Sequence, residues 1–262
     1  MRSGRVVAVL AAVALGTAAC GGGGDAAAST AGASGSGPTG TLTVFAAASL
    51  TDVFTDLGQR LEDAHDGLTV QFNFAGSSAL ATQLTQGAPA DVFASANGPQ
   101  MSVVTDAGLA GGDPTVFAGN VLQIAVPAGN PAGVTGLADF AREELALAVC
   151  APEVPCGAAG EAVFAAAGVS PRPDTQEEDV RAALTKVELG EVDAALVYAT
   201  DVTAAGDAVG GRPFPEAEDA VNDYPLCTLA AAPNPGAARA FVDLVLSEEG
   251  QQALEDAGFR AP

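Results

Sequence analysis

The sequence predicts an α/β protein in which short strands alternate with helices and pair as parallel sheets covered on both faces. Three observations carry this expectation. First, segments 41–47, 68–74, 91–95, 120–126, 145–150, 192–198 and 224–232 are short, rich in Val, Leu and Phe, and bounded by turn residues, which is the signature of strands. Second, helical periodicity lies between most of them. Leu50 to Asp63 sets Leu50, Val53, Phe54, Leu57 and Leu61 on one face, and Ala240 to Leu254 aligns Phe241, Leu244, Val245 and Leu254. Third, the connections are short, and strand–helix–strand units joined this way give parallel strands.

Each element also has a place in a functional argument. The strand 41–47 runs into the small-residue turn of FAAASL and delivers Ser49 at a helix start; the strand 68–74 does the same through FAGSSAL with Ser77 and Ser78. In open α/β sheets ligands sit at the carboxyl ends of strands, where helices begin. Free backbone N–H groups and the helix dipole both favour negative charge there, so two such ends with hydroxyl donors predict an anion-receiving site. A serine at a helix start is also expected to cap it.

The N-terminus resembles an export signal. Arg2 and Arg5 precede an apolar run from Val6 to Leu15 and small residues ending at Cys20, a stretch too short for a membrane span. Residues 1–19 are therefore expected to be a signal peptide, with Cys20 as the lipid-bearing first residue of the mature chain. Residues 20–40, nearly all Gly, Ala, Ser and Thr, carry too little apolar surface to fold and are expected to serve as a flexible tether. From Thr41 to Pro262 the chain is long enough for one large or two modest domains.

Composition narrows the partners. The net charge of −22, or −24 without Arg2 and Arg5, argues against nucleic acid and anionic lipid surfaces. Any small anion must be captured by local dipoles against that field. Cys150 and Cys156 bracket the tight loop CAPEVPC and are expected to form a disulfide in an oxidising compartment; metal binding is the alternative, with no second cysteine pair to support it. Cys227 alternates along a strand as a buried thiol. The single histidine, His65, reads as solvated. A secreted serine hydrolase lacks its residues here, since neither Ser49 nor Ser77 lies in GxSxG. HExxH and GxxxxGK[ST] are absent as well.

In order along residues 41–259, VFAAASLTDVF, FAGSSALATQL, QGAPADVFASA, EDVRAALTKVELGEVDAALVYATD and FVDLVLSEEGQQALEDAGF resemble the periplasmic molybdate-binding proteins of molybdate ABC importers. The resemblance implies a type II periplasmic-binding-protein fold, two α/β lobes with a ligand cleft between them. Lobe one would comprise 41–119 plus 224–262, and lobe two 120–223. It implies no enzyme activity and no cofactor; the ligand would be molybdate or tungstate. The partners would be an ABC permease and its ATPase, for a monomer held by its lipid on the outer face of the cell membrane. Another oxyanion or a small metabolite is the alternative ligand.

The matching contact positions are Ser49, Ser77, the backbone N–H of Val180, the hydroxyl of Tyr198 and, in the shortened loop CAPEVPCG, the N–H of Cys156. All are neutral donors. Molybdate is an unprotonated dianion that only accepts, whereas hydrogen phosphate also needs an acceptor, so a donor-only site would reject phosphate by leaving its O–H unpaired. Sulfate would be excluded by size.

Overall fold

A computed structural model describes residues 37–262; the segment 1–19, Cys20 and most of the tether lie outside the described residues. In chain order the strands are β1 (Gly40–Ala47), β2 (Leu68–Ala75), β3 (Val92–Ala94), β4 (Thr115–Asn120), β5 (Leu122–Pro127), β6 (Leu147–Cys150), β7 (Thr175–Glu177), β8 (Ala194–Tyr198), β9 (Val209–Arg212) and β10 (Asn222–Thr228). The helices are α1 (Thr51–Ala64), α2 (Ser77–Thr85), α3 (Gly98–Asp106), α4 (Pro155–Ala167), α5 (Val180–Glu188), α6 (Ala199–Ala205), α7 (Pro235–Leu246) and α8 (Glu248–Asp256).

Two five-stranded sheets result, ordered β2-β1-β3-β10-β4 and β7-β6-β8-β5-β9. Each defines one α/β lobe. The side-chain alternation of β1 shows how the first is covered on both faces. Leu42, Val44 and Ala46 enter a core with α1 and α7, while Phe45 enters a second core with Leu80, Leu84, Phe93 and Met101. Phe54 of α1 anchors the first core, its ring centroid 5.2 Å from Phe241 and 5.8 Å from Phe117. The second lobe is held by Ile124, Phe140, Phe164, Leu184 and Leu196.

The expectation of parallel sheets is corrected. β2, β1 and β3 run parallel, as do β7, β6 and β8, but β10 is antiparallel to both its neighbours and β5 to both of its own. The cause is connectivity: the chain leaves the first sheet along β4, turns into β5 through Val121, and comes back along β10, so outgoing and returning strands lie side by side. The expected strand 120–126 therefore begins one sheet earlier, as β4, and the expected helix 240–254 is two helices. Ser247 ends α7 and caps α8, its hydroxyl oxygen accepting from Gly250 N–H at 3.1 Å. β7 (TQE) and β9 (VGGR) carry no apolar pattern of their own and are strands because β6 and β5 pair with them.

This topology sends every parallel strand of both sheets toward one region. β1 ends before Ser49, β2 before Ser77, β3 before Ala96, β6 before the loop to α4, β7 before α5 and β8 before α6.

Candidate functional site

Where those carboxyl ends meet, a small space of about 10 Å³ is lined from the first lobe by Ala47, Ala48, Ser49, Ala75, Gly76, Ser77 and Ala96, and from the second by Val154, Pro155, Cys156, Asp179, Val180 and Tyr198. Pockets for drug-sized ligands span roughly 300–1,000 Å³, so this space is far too small for one of them. All five positions singled out from the sequence, Ser49, Ser77, Cys156, Val180 and Tyr198, line it. Ser78 does not.

The donors come from helix starts. Ser77 and Val180 are the first residues of α2 and α5, and Cys156 is the second of α4 after Pro155, positions whose N–H groups have no acceptor within the helix. Asp179 caps α5 by accepting from Ala182 N–H at 2.9 Å, which sets its charge to work on the helix end. The loop before α4 is closed by the Cys150–Cys156 disulfide, Cα to Cα 5.7 Å. The lining contains no Lys, Arg or His.

Neither serine is a helix cap, which corrects that expectation. Ser49 sits inside a short 3-10 turn (Ala48–Leu50) before α1, and Gly76 is the residue ahead of α2. Both hydroxyls are instead engaged from behind. Ser77 Oγ accepts from Ala96 N–H at 3.0 Å, and Ser49 Oγ lies 2.8 Å from the Tyr224 hydroxyl. The Tyr198 hydroxyl is fully buried beside Tyr224 and Asn222, and no described group stands in good hydrogen-bond geometry to it. Burial first, then the neighbouring Tyr224 and Asp201, hold its phenol well above the ordinary range, so it remains a donor.

Several residues behind the site were not singled out from the sequence. Tyr224, Asn120 and Asn222 lie on the crossing strands and are buried. Asn120 Nδ2 donates to Thr200 Oγ1 at 2.8 Å and to the Tyr224 hydroxyl at 3.4 Å, while Asn222 Nδ2 donates to Ala96 O at 2.8 Å. One signal was available: the chain has only two tyrosines, Tyr198 and Tyr224, and their rings stand 6.1 Å apart beside this space.

The lobes touch around the site. Arg181 of α5 pairs with Asp52 of α1, and its Nε lies 3.0 Å from Asp201 Oδ1, so its charge is already shared by two carboxylates. Burial raises the Asp201 carboxyl to about 7 against the pull of Arg181. Gln100 Nε2 reaches Glu153 O at 3.2 Å. A Cβ on Gly76 would stand 2.3 Å from Glu178 O, so the backbone ahead of α2 rests on the segment ahead of α5. A wider groove lies apart, between α3, the crossing strands and α4, and is lined by two carboxylates, Asp113 and Asp223, against one in the small space, Asp179, which is engaged in capping α5.

Two lobes that enclose a small space between strand ends define a solute-binding protein. Residues 42–260 match the model of the bacterial extracellular solute-binding protein family, and the chain belongs to that family. It is a family of transport proteins and not of enzymes. The "Molybdate-binding protein ModA" of Mycobacterium tuberculosis (strain ATCC 25618 / H37Rv) is 44% identical over 221 residues, covering 84% of this chain and 85% of that one. Among solved structures, the Azotobacter vinelandii periplasmic molybdate-binding protein superposes with a TM-score of 0.72 at 20% identity, covering 84% of this chain and 99% of that one. The sulfate-binding protein SubI from Mycobacterium tuberculosis H37Rv gives 0.75 at 20% identity, covering 84% and 86%. Both structures share the fold; the fold by itself does not choose between their anions.

Proposed function

We propose that this protein captures molybdate, and tungstate with it, and delivers the anion to an ABC import permease and its ATPase. The observation that carries the reading is the convergence of neutral donors from both lobes on one small space with no cation in its lining. An anion held this way needs no buried lysine or arginine, whose desolvation is costly. The contacts we assign are the hydroxyls of Ser49, Ser77 and Tyr198 and the N–H groups of Cys156 and Val180. Identity of 44% to a molybdate-binding protein supports the choice of anion.

On this reading lobe one is 41–119 plus 224–262 and lobe two 120–223. The anion lands on one lobe and hinge motion brings the other on to it. The protein works as a monomer outside the cell membrane, held by lipid on Cys20 after removal of residues 1–19. The Cys150–Cys156 bridge stiffens the loop that presents Cys156, which lowers the ordering cost of binding.

Calorimetry against molybdate, tungstate, sulfate and phosphate tests the proposal. Tight binding of the first two with weak sulfate and no phosphate is the expected result. Preference for sulfate would reassign the ligand, and no heat with any of them from folded protein would end the proposal.

A further inference from the structure

We propose that Asp201 is a positioning residue that ties together the two helix starts through which lobe two presents Val180 and Tyr198 to the anion, acting through the guanidinium of Arg181. The inference rests on the oxyanion-site reading given above.

Val180 follows β7 and Tyr198 ends β8, and these two strands do not pair, because β6 runs between them. The sheet therefore connects the two contacts only through a third strand. Asp201 connects them directly. Its Oδ2 accepts from Tyr198 N–H at 3.0 Å, and its Oδ1 lies 3.0 Å from Nε of Arg181, the residue next to Val180. The second contact is ionic, without aligned hydrogen-bond geometry.

Capping alone does not account for a charge at this position. The bond to Tyr198 N–H needs an acceptor, which a neutral amide supplies without the cost of burying a carboxylate. Asp201 is nonetheless a carboxylic acid with no exposed surface. Burial raises it to about 7, and Asp52 and Asp179 face it with like charge, while Arg181 is the cation that offsets them. The charge is thus directed at Arg181.

Packing does not hold Arg181 in its place either. Its side chain lines a cavity of about 180 Å³ together with Ser49, Asp52, Thr200 and Phe259, so there is room for it to move on that side. Two carboxylates hold it instead, Asp201 from its own lobe and Asp52 from the other. Asp201 travels with Arg181 whether the lobes are apart or together. It fixes the guanidinium, and with it the first turn of α5, before Asp52 arrives, so less ordering remains to be done when the anion is enclosed.

Asp201→Asn keeps an oxygen for Tyr198 N–H and removes the charge that holds Arg181. Molybdate affinity is measured in mildly alkaline buffer, above the Asp201 value of about 7. Tyr198 and Tyr224 are the only tyrosines and the chain has no tryptophan, so the near-ultraviolet difference spectrum at saturation reads the site itself. Affinity should fall on the order of tenfold, as for one weakened hydrogen bond to a charged group, and the tyrosine difference signal at saturation should shrink. A purely structural role would lower the melting temperature of the ligand-free protein and leave affinity and saturated signal unchanged, which would overturn the inference while leaving the site reading intact. Arg181→Lys retains a cation for Asp201 and serves if Asp201→Asn does not fold. Its point charge cannot replace the planar fork, so affinity and tyrosine signal should move in the same direction; no change in either would overturn the inference. Combined, the two substitutions should lose no more affinity than Asp201→Asn alone, since both act through one contact, and losses that add would count against it. A wild-type protein that binds no molybdate overturns the site reading and this inference together.

Discussion

Replacing both site serines, Ser49→Ala with Ser77→Ala, is expected to weaken molybdate binding by about 3–6 kcal/mol, since each hydrogen bond to a charged group contributes roughly 1.5–3 kcal/mol. In affinity that is a loss of about two to four orders of magnitude. Both hydroxyls line the space between the lobes, and neither caps a helix, so little helix stability goes with them. Ser77→Ala does orphan the Ala96 N–H that its oxygen receives. Thermal melting without ligand separates that stability cost from the binding loss. Normal affinity in the double variant would mean the anion sits elsewhere.

Gly76→Ala is expected to cost ten- to hundredfold in affinity while leaving the ligand-free protein nearly as stable as before. The glycine has φ −57°, an angle alanine adopts freely, so the variant is not strained within its own lobe. The obstacle is across the cleft: the added Cβ would press on Glu178 O, a backbone atom of the other lobe. Overpacking of that kind costs about 1–3 kcal/mol, and it falls on the closed state alone. The ion pair between Asp52 and Arg181 also joins the lobes, but its aspartate is exposed and such pairs contribute about 0–1 kcal/mol, so its removal should do less. Calorimetry with small-angle scattering checks the result. Undiminished affinity with normal compaction on adding molybdate would show that the lobes need not meet at Gly76.

The net charge of −22 makes the site's chemistry more demanding, because the anion enters against the field of the whole chain. Of the nearby cations, Arg181 is occupied by Asp52 and Asp201. Capture thus falls to helix N-termini and hydroxyls at short range, where the dipole effect is confined to the first turn.

The parts of the site that sit at strand ends were legible because local pattern places them. A strand, a small-residue turn and a helix put Ser49 and Ser77 at carboxyl ends without any tertiary information, and the loop CAPEVPCG announced its disulfide by spacing. The antiparallel course of β5 and β10 was not legible, since direction depends on the chain crossing between sheets and returning. β7 and β9 have no apolar period to read and exist through their partners. The capping role expected of the serines failed because their hydroxyls find stronger use elsewhere. Ser49 turns to Tyr224, 175 residues away, a pairing that no local window contains. Gly76 likewise passes for an ordinary turn residue until the other lobe is brought against it.

The most direct measurement is the anomalous scattering of molybdenum in crystals grown with molybdate. A single strong peak is expected in the space bounded by Ser49, Ser77, Cys156, Val180 and Tyr198, with oxygens in hydrogen-bond reach of donors from both lobes. A peak in the wider groove beside Asp113 and Asp223, or one contacted by a single lobe with the other held away, would contradict it.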